Sequence, residues 1–175
     1  MPCSCRNACR ACIDPMTKAA AARAGAAVPA AAGGVRSRAH WEHFDHGADI
    51  GVRGWGPTKA DAFEQAALAL AAVVTDPAWV MARETVPIFC EAGDDELLLA
   101  AWLNAIVSAM AVRRMLFGRF HVEFEGNDLN GTASGEPISI ERHRPAVEVK
   151  GATYTALRVA RTADGSWLAQ TVVDV

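Results

Sequence analysis

Residues 95–125, DELLLAAWLNAIVSAMAVRRMLFGRFHVEFE, change their hydrophobic period in mid-course. Up to about residue 111, Leu97, Leu98, Leu99, Trp102, Leu103, Ile106, Val107 and Met110 leave almost no polar side. That pattern predicts the central buried helix. Asp94 or Asp95 can cap its start, and Arg113 and Arg114 follow its end, where cations favour the helix dipole. From Phe120 the period drops to two. Phe120, Val122 and Phe124 alternate with His121, Glu123 and Glu125, as on a half-buried strand. His121 reads there as structural.

Upstream, TVPIFCE at 85–91 predicts a strand, with Pro87 arguing for an edge or early position. Cys90 lies in that run as a small buried hydrophobe. A first helix starts after Pro57, where Thr58 and Asp61 form a box-like cap with Asp in place of the usual Glu. Phe63, Ala66, Ala67, Leu70, Val73 and Val74 recur at helical spacing, and Asp76–Pro77 ends the pattern. Residues 41–46 and 49–55 read as extended around a loop at Gly47. Downstream, residues 129–134 form a weaker strand and 147–161 a longer extended stretch. Asp164–Gly165 is a strong hairpin signal before the last strand. There Trp167, Ala169, Thr171 and Val173 share one face. The fold class is α+β: a mainly antiparallel sheet packed with two principal helices.

Residues 1–39 differ in kind. KAAAARAGAAVPAAAGG at 18–34 is low in complexity, with too few large apolar groups to offset its ordering entropy. Residues 1–39 therefore read as a disordered tail and 40–175 as the folded domain. Four of the five cysteines, Cys3, Cys5, Cys9 and Cys12, fall in that tail. Four thiolates can complete a zinc or iron–sulfur shell. The spacing matches no structural zinc pattern and few apolar groups flank it, so an unstructured tail is the favoured reading.

Charge is split along the chain. Six of the 17 Lys and Arg but one of the 20 acids lie in residues 1–40, a net of +5. The remaining eleven basic and nineteen acidic residues give 41–175 a net of −8. An acidic body does not bind nucleic acid strongly by itself, because that affinity rests on phosphate neutralisation. It suits a metal ion or a basic protein partner. No run of 18 apolar residues and no signal-type stretch occurs, so no membrane span is expected and the cytoplasm is the expected location.

Two constellations carry chemistry. DHGAD at 45–49 gathers Asp45, His46 and Asp49 beside a tight glycine; Asp49 interrupts an apolar stretch, which costs free energy unless the carboxylate is paired or metal-bound. From spacing alone a plain turn cap is the favoured reading. Asp174 and the α-carboxylate of Val175 end a strongly alternating strand, and adjacent anionic oxygens suit a hard cation such as calcium. A frayed end is the competing reading. A third cluster, Arg142, His143 and Arg144 with Lys150 after it, can contact phosphate or an acidic partner, or form a solvated loop. P-loop, dinucleotide, G-x-S-x-G and H-E-x-x-H signatures are absent.

From Trp41 to Val175 the chain resembles the archease family. The matching pieces, in order, are WEHFDHGADIGVRGWG, TKADAFEQAALAL, DDELLLAAWLNAIV, GEPISIERHRPAVEVKGATY and the terminal VVDV. The resemblance implies an archease-like domain that holds calcium, or another divalent cation, through Asp49, Asp174 and the carboxylate of Val175. It matches Lys150 to the family lysine of K-x-x-T-Y, and leaves Asp45, His46, Arg142 and His143 as candidates for contact with a partner. That partner is an RtcB-type RNA ligase, which uses GTP and divalent metal to guanylylate a histidine before joining RNA ends in tRNA splicing or RNA repair. The family promotes guanylylation and multiple turnover and is not itself a ligase. Four positions depart from the family pattern: Gly47 for Thr, Ser139 and Ile140 for Asp-Pro, and Thr155 for His. The rival readings are a metal-dependent phosphoester hydrolase built on Asp45, His46 and Asp49, and a chaperone-like binding module without metal.

Overall fold

The computed structural model describes residues 38–175. The four-cysteine cluster and nearly all of the tail assigned to 1–39 lie outside the described residues.

The fold is α+β, with two antiparallel sheets instead of one. Strands β1 (His40–His46) and β2 (Asp49–Gly56) form a hairpin around Gly47, whose φ of +66° fits a residue without a Cβ. Helix α1 (Lys59–Val74) starts at the expected capping box: Thr58 accepts from Asp61 N–H, and the Asp61 carboxylate accepts from Thr58 N–H. A 3-10 turn (Pro77–Trp79) follows. Strand β3 (Glu84–Glu91), helix α2 (Asp95–Arg113) and strands β4 (Met115–Glu125) and β5 (Asp128–Pro137) come next. Asp94 is the N-cap of α2, accepting from Leu97 N–H at 2.8 Å.

The three-stranded sheet runs β3-β5-β4, so Pro87 sits on an edge strand, where a missing N–H is tolerated. The second sheet is centred on β8 (Trp167–Asp174), with β2 and β1 on one side and the short strands β6 (Gly151–Ala152) and β7 (Arg158–Arg161) on the other.

Both helices bridge the sheets. Helix α1 packs on β2 and β8 and also on β4; α2 packs on β3, β4 and β5 and also on β6, β7 and β8. Phe63 of α1 meets Phe124 edge-on at 5.2 Å, and Trp102 of α2 meets Phe120 at 6.2 Å. Gly54 lets β2 press on α1: a Cβ there would lie 2.2 Å from Ala66 N and 2.3 Å from Ala62 O.

Three expectations need correction. Helix α2 is long and apolar enough to cross a membrane, yet it is a core helix with one buried face, formed by Leu98, Leu99, Trp102, Leu103 and Ile106. Leu97 and Val112 are exposed on it, so it is not buried all round. Its small residues mislead a reading based on apolarity alone. The stretch 147–161 is not one strand; a turn with Ala156 at φ +52° separates β6 from β7. The ERH segment is no solvated loop. It forms the one-turn helix α3 (Ile140–His143), in which His143 is fully buried.

Candidate functional site

The hairpin and the central strand meet at one end of the β8 sheet. The β1–β2 register sets His46 opposite Asp49, and the β2–β8 register sets Ile50 opposite Val173. The paired register of β2 and β8 ends there; Asp49 and Asp174 are the next residues, the first of β2 and the last of β8. On the far side of β8, Asp174 pairs with Gly151. The pairs His46–Asp49 and Asp174–Gly151 thus make up the last rung at this end of the four strands. Directly opposed residues share a face, with Cβ atoms about 5 Å apart. Asp45 pairs with Ile50, on the opposite face of the hairpin from His46.

The end of the chain is held in place. Val175 is half-buried and packs against the core, and Lys150 N–H donates to Asp174 O at 2.9 Å. Lys150 Nζ lies 2.8 Å from an oxygen of Val175 and 3.8 Å from Asp174 Oδ1. Asp174 and the terminal carboxylate thus share the exposed Lys150 ammonium.

The set fits a hard cation in chemistry: anionic oxygens only, from two side chains and one main-chain end. Among the described residues, no group of three or more His, Cys, Asp or Glu side chains is arranged to hold a metal. A cation on this rung would thus depend on the main-chain carboxylate and keep positions open to other oxygen ligands.

The remaining candidates lie elsewhere. Arg142 and His143 belong to a buried cluster centred on Glu136, a residue the sequence reading did not single out. Its side chain is 1 % exposed. Oε1 accepts from Met81 N–H at 2.9 Å and from His143 Nε2 at 3.1 Å; Oε2 meets Arg142 Nη2 at 2.9 Å and Arg83 Nε at 3.1 Å. Ser139 N–H donates to His143 Nδ1 at 3.0 Å, and Arg142 Nε lies 3.2 Å from Nε2 beside the Glu136 contact. The Met81 N–H bond lowers the Glu136 pKa most; burial opposes it, and His143, Arg142 and Arg83 lower it further. Thr75 Oγ1 donates to His143 O, and Ala146 N–H donates to Val74 O, tying the segment to the end of α1. The one available signal was the pairing of GEP with ERH a few residues later. His121, expected to be structural, is a surface residue beside Glu64 and Glu123.

A profile of the Archease protein family matches residues 41–175. The chain belongs to the archease family. Protein archease of Pyrococcus furiosus is 39 % identical over 139 residues, covering 77 % of this chain and 98 % of the relative. Protein archease of Methanopyrus kandleri is 40 % identical, covering 77 % and 99 %. The solution structure of Methanobacterium thermoautotrophicum protein 1598 superposes with a TM-score of 0.68 at 32 % identity, covering 77 % of this chain and 98 % of that one. The archease match therefore begins at β1.

Proposed function

We propose that this archease-family chain activates an RtcB-type RNA ligase in tRNA splicing or RNA repair, acting in the cytoplasm and catalysing no reaction itself. Asp49, Asp174 and the carboxylate of Val175 would hold calcium or another divalent cation, which when bound supplies a fixed positive charge with open coordination positions. The observation that carries the reading is the rung itself. In its support, Asp49 opens β2 and Asp174 closes β8 just beyond the Ile50–Val173 pair, and the packed chain end lies beside Asp174. Lys150 holds the terminal carboxylate in position and offsets part of its charge. His46 stands at the outer end of the same rung, available to a partner. The acidic body suits a basic ligase surface.

The hydrolase reading is weaker, because Asp45 and His46 lie on opposite faces of β1. The test is ligase guanylylation with purified chain. Asp49→Ala and Asp174→Ala should each abolish stimulation while melting at the parent temperature, and the chain alone should leave phosphoesters intact. Full stimulation by both variants defeats the proposal.

A further inference from the structure

Strand β6 supplies Gly151, the partner of Asp174, yet it is two residues long and lies at the edge of its sheet. An edge strand turns N–H and C=O groups away from its neighbour. At Ala152 those groups meet a side chain of α2. Asn104 Oδ1 accepts from Ala152 N–H at 2.9 Å, and Asn104 Nδ2 donates to Ala152 O at 3.0 Å. A side-chain amide carries both an acceptor and donors, so it can pair with one residue as a neighbouring strand does. Asn104 Nδ2 also donates to Ala100 O, one turn back on the helix, at 3.0 Å. The helix behind this amide is fixed, because Trp102, Leu103 and Ile106 are fully buried.

We propose that Asn104 is a positioning residue of the rung: by closing the edge of β6 it fixes where Lys150 and the chain end lie. The inference rests on the activator reading and adds to it a residue whose bonds go to the backbone. Lys150 stands two residues before Ala152. Its N–H donates to Asp174 O at 2.9 Å, and its Nζ lies 2.8 Å from an oxygen of Val175. A shift of β6 therefore disturbs both links to the chain end together. Other bonds hold the segment from β8: Thr153 N–H donates to Val172 O at 2.9 Å, and Thr171 Oγ1 donates to Thr153 O at 2.6 Å. Those come from the strand whose own end must be fixed, whereas Asn104 ties β6 to the helix layer. The approach is close. A Cβ on Gly151 would lie 3.0 Å from Asn104 Oδ1, so one of the two would have to give way.

The test sets Asn104→Leu, similar in volume but unable to hydrogen-bond, beside the unmodified chain. Leucine suits a helix better than asparagine, so α2 should stay folded. Amide exchange followed by NMR, well below the melting temperature, should quicken roughly tenfold at Lys150 and stay at parent rates along β2. The Lys150 amide is informative because its own bond runs to Asp174, not to Asn104. Maximal stimulation of an RtcB-type ligase in the guanylylation assay should fall about tenfold. Gly151→Ala should act in the same direction, less strongly, and should add nothing when Asn104→Ala is also present. Parent-like exchange at Lys150, or parent-like stimulation, in Asn104→Leu overturns the positioning role and leaves the activator reading standing. Exchange that quickens equally along β2 also overturns it, since Asn104 then supports the whole fold. An unmodified chain that leaves guanylylation unchanged overturns the activator reading itself.

Discussion

Two carboxylate sites in this domain use the same chemistry in opposite ways. Glu136 is buried, and each of its oxygens meets two donors. Asp49 and Asp174 sit at strand ends, with Asp174 half exposed and one exposed lysine nearby. A carboxylate surrounded by fixed donors has little capacity left for a ligand, and its removal orphans buried groups. A carboxylate at an open rung keeps its lone pairs, and crowding by its neighbours is relieved by an added cation. The contrast teaches that an acid in a motif is informative only once its partners are counted.

The largest expected effect is a double dissociation. Asp174→Ala should lower calcium affinity on the order of a hundredfold, since ligand charge count sets affinity in oxygen sites, and should leave the melting temperature near that of the parent. Glu136→Ala should do the reverse. It leaves Met81 N–H and the buried His143 ring without an acceptor and frees Arg83 and Arg142, so its melting temperature should fall further than that of any other variant named here. Glu136→Gln, which keeps an acceptor, should fall less. Calorimetry and thermal denaturation in the same buffer check both halves. A Glu136→Ala protein that melts like the parent breaks the comparison.

That contrast also explains what the sequence could reveal. Local signals read correctly: the Thr58–Asp61 box, the Asp94 cap and the Gly47 hairpin each depend on neighbours within a few residues, whereas β8, read as alternating, is a central strand buried on both faces. The rung could be approached in the same way, because a two-residue hairpin and a strand running to its last residue fix Asp49 and Asp174 at strand ends. The partner strands were set by tertiary packing. The Glu136 cluster joins residues from the 3-10 turn, β5 and α3, and no periodicity announces a buried carboxylate that long-range donors have satisfied. His143 looked solvated because its neighbours Arg142 and Arg144 are charged. Helix α2 looked wholly buried because alanines fill much of its outer face. Ser139 makes no side-chain cap bond to α3; its N–H donates instead to His143 Nδ1, another contact between residues of the folded turn that composition does not announce.

A smaller effect sharpens the open side of the comparison. Lys150 Nζ is 66 % exposed and approaches both Val175 and Asp174, so its charge competes with any other cation. An exposed ion pair contributes at most about 1 kcal/mol. Lys150→Met should therefore raise calcium affinity by up to roughly fivefold, with the difference shrinking as salt increases. A fall in affinity would mean that Lys150 serves the rung chiefly by orienting the terminal carboxylate.

The smallest effect concerns acid stability and tests the committed side. The Thr162 and Ser166 hydroxyls and the Ser166 N–H hold Asp164 below the ordinary 3.8, at about 2, in the turn before β8. Glu136 is likewise held below 4.5, first by Met81 N–H. A carboxylate depressed in the folded state adds stability that is complete above its unfolded pKa and disappears as pH falls through its folded one. The parent should therefore lose stability below pH 4.5 as Glu136 is protonated, and Asp164 should add a loss that begins below 3.8 and runs to about 2. Asp164→Asn removes only the second window, while Glu136→Gln removes only the part due to Glu136. Urea denaturation from pH 6 to pH 2 separates them. If Glu136→Gln follows the parent curve at every pH, the buried cluster does not bind its carboxylate more firmly folded than unfolded. The distinction between a committed acid and an available one would then fail on the side where the hydrogen bonds appear strongest.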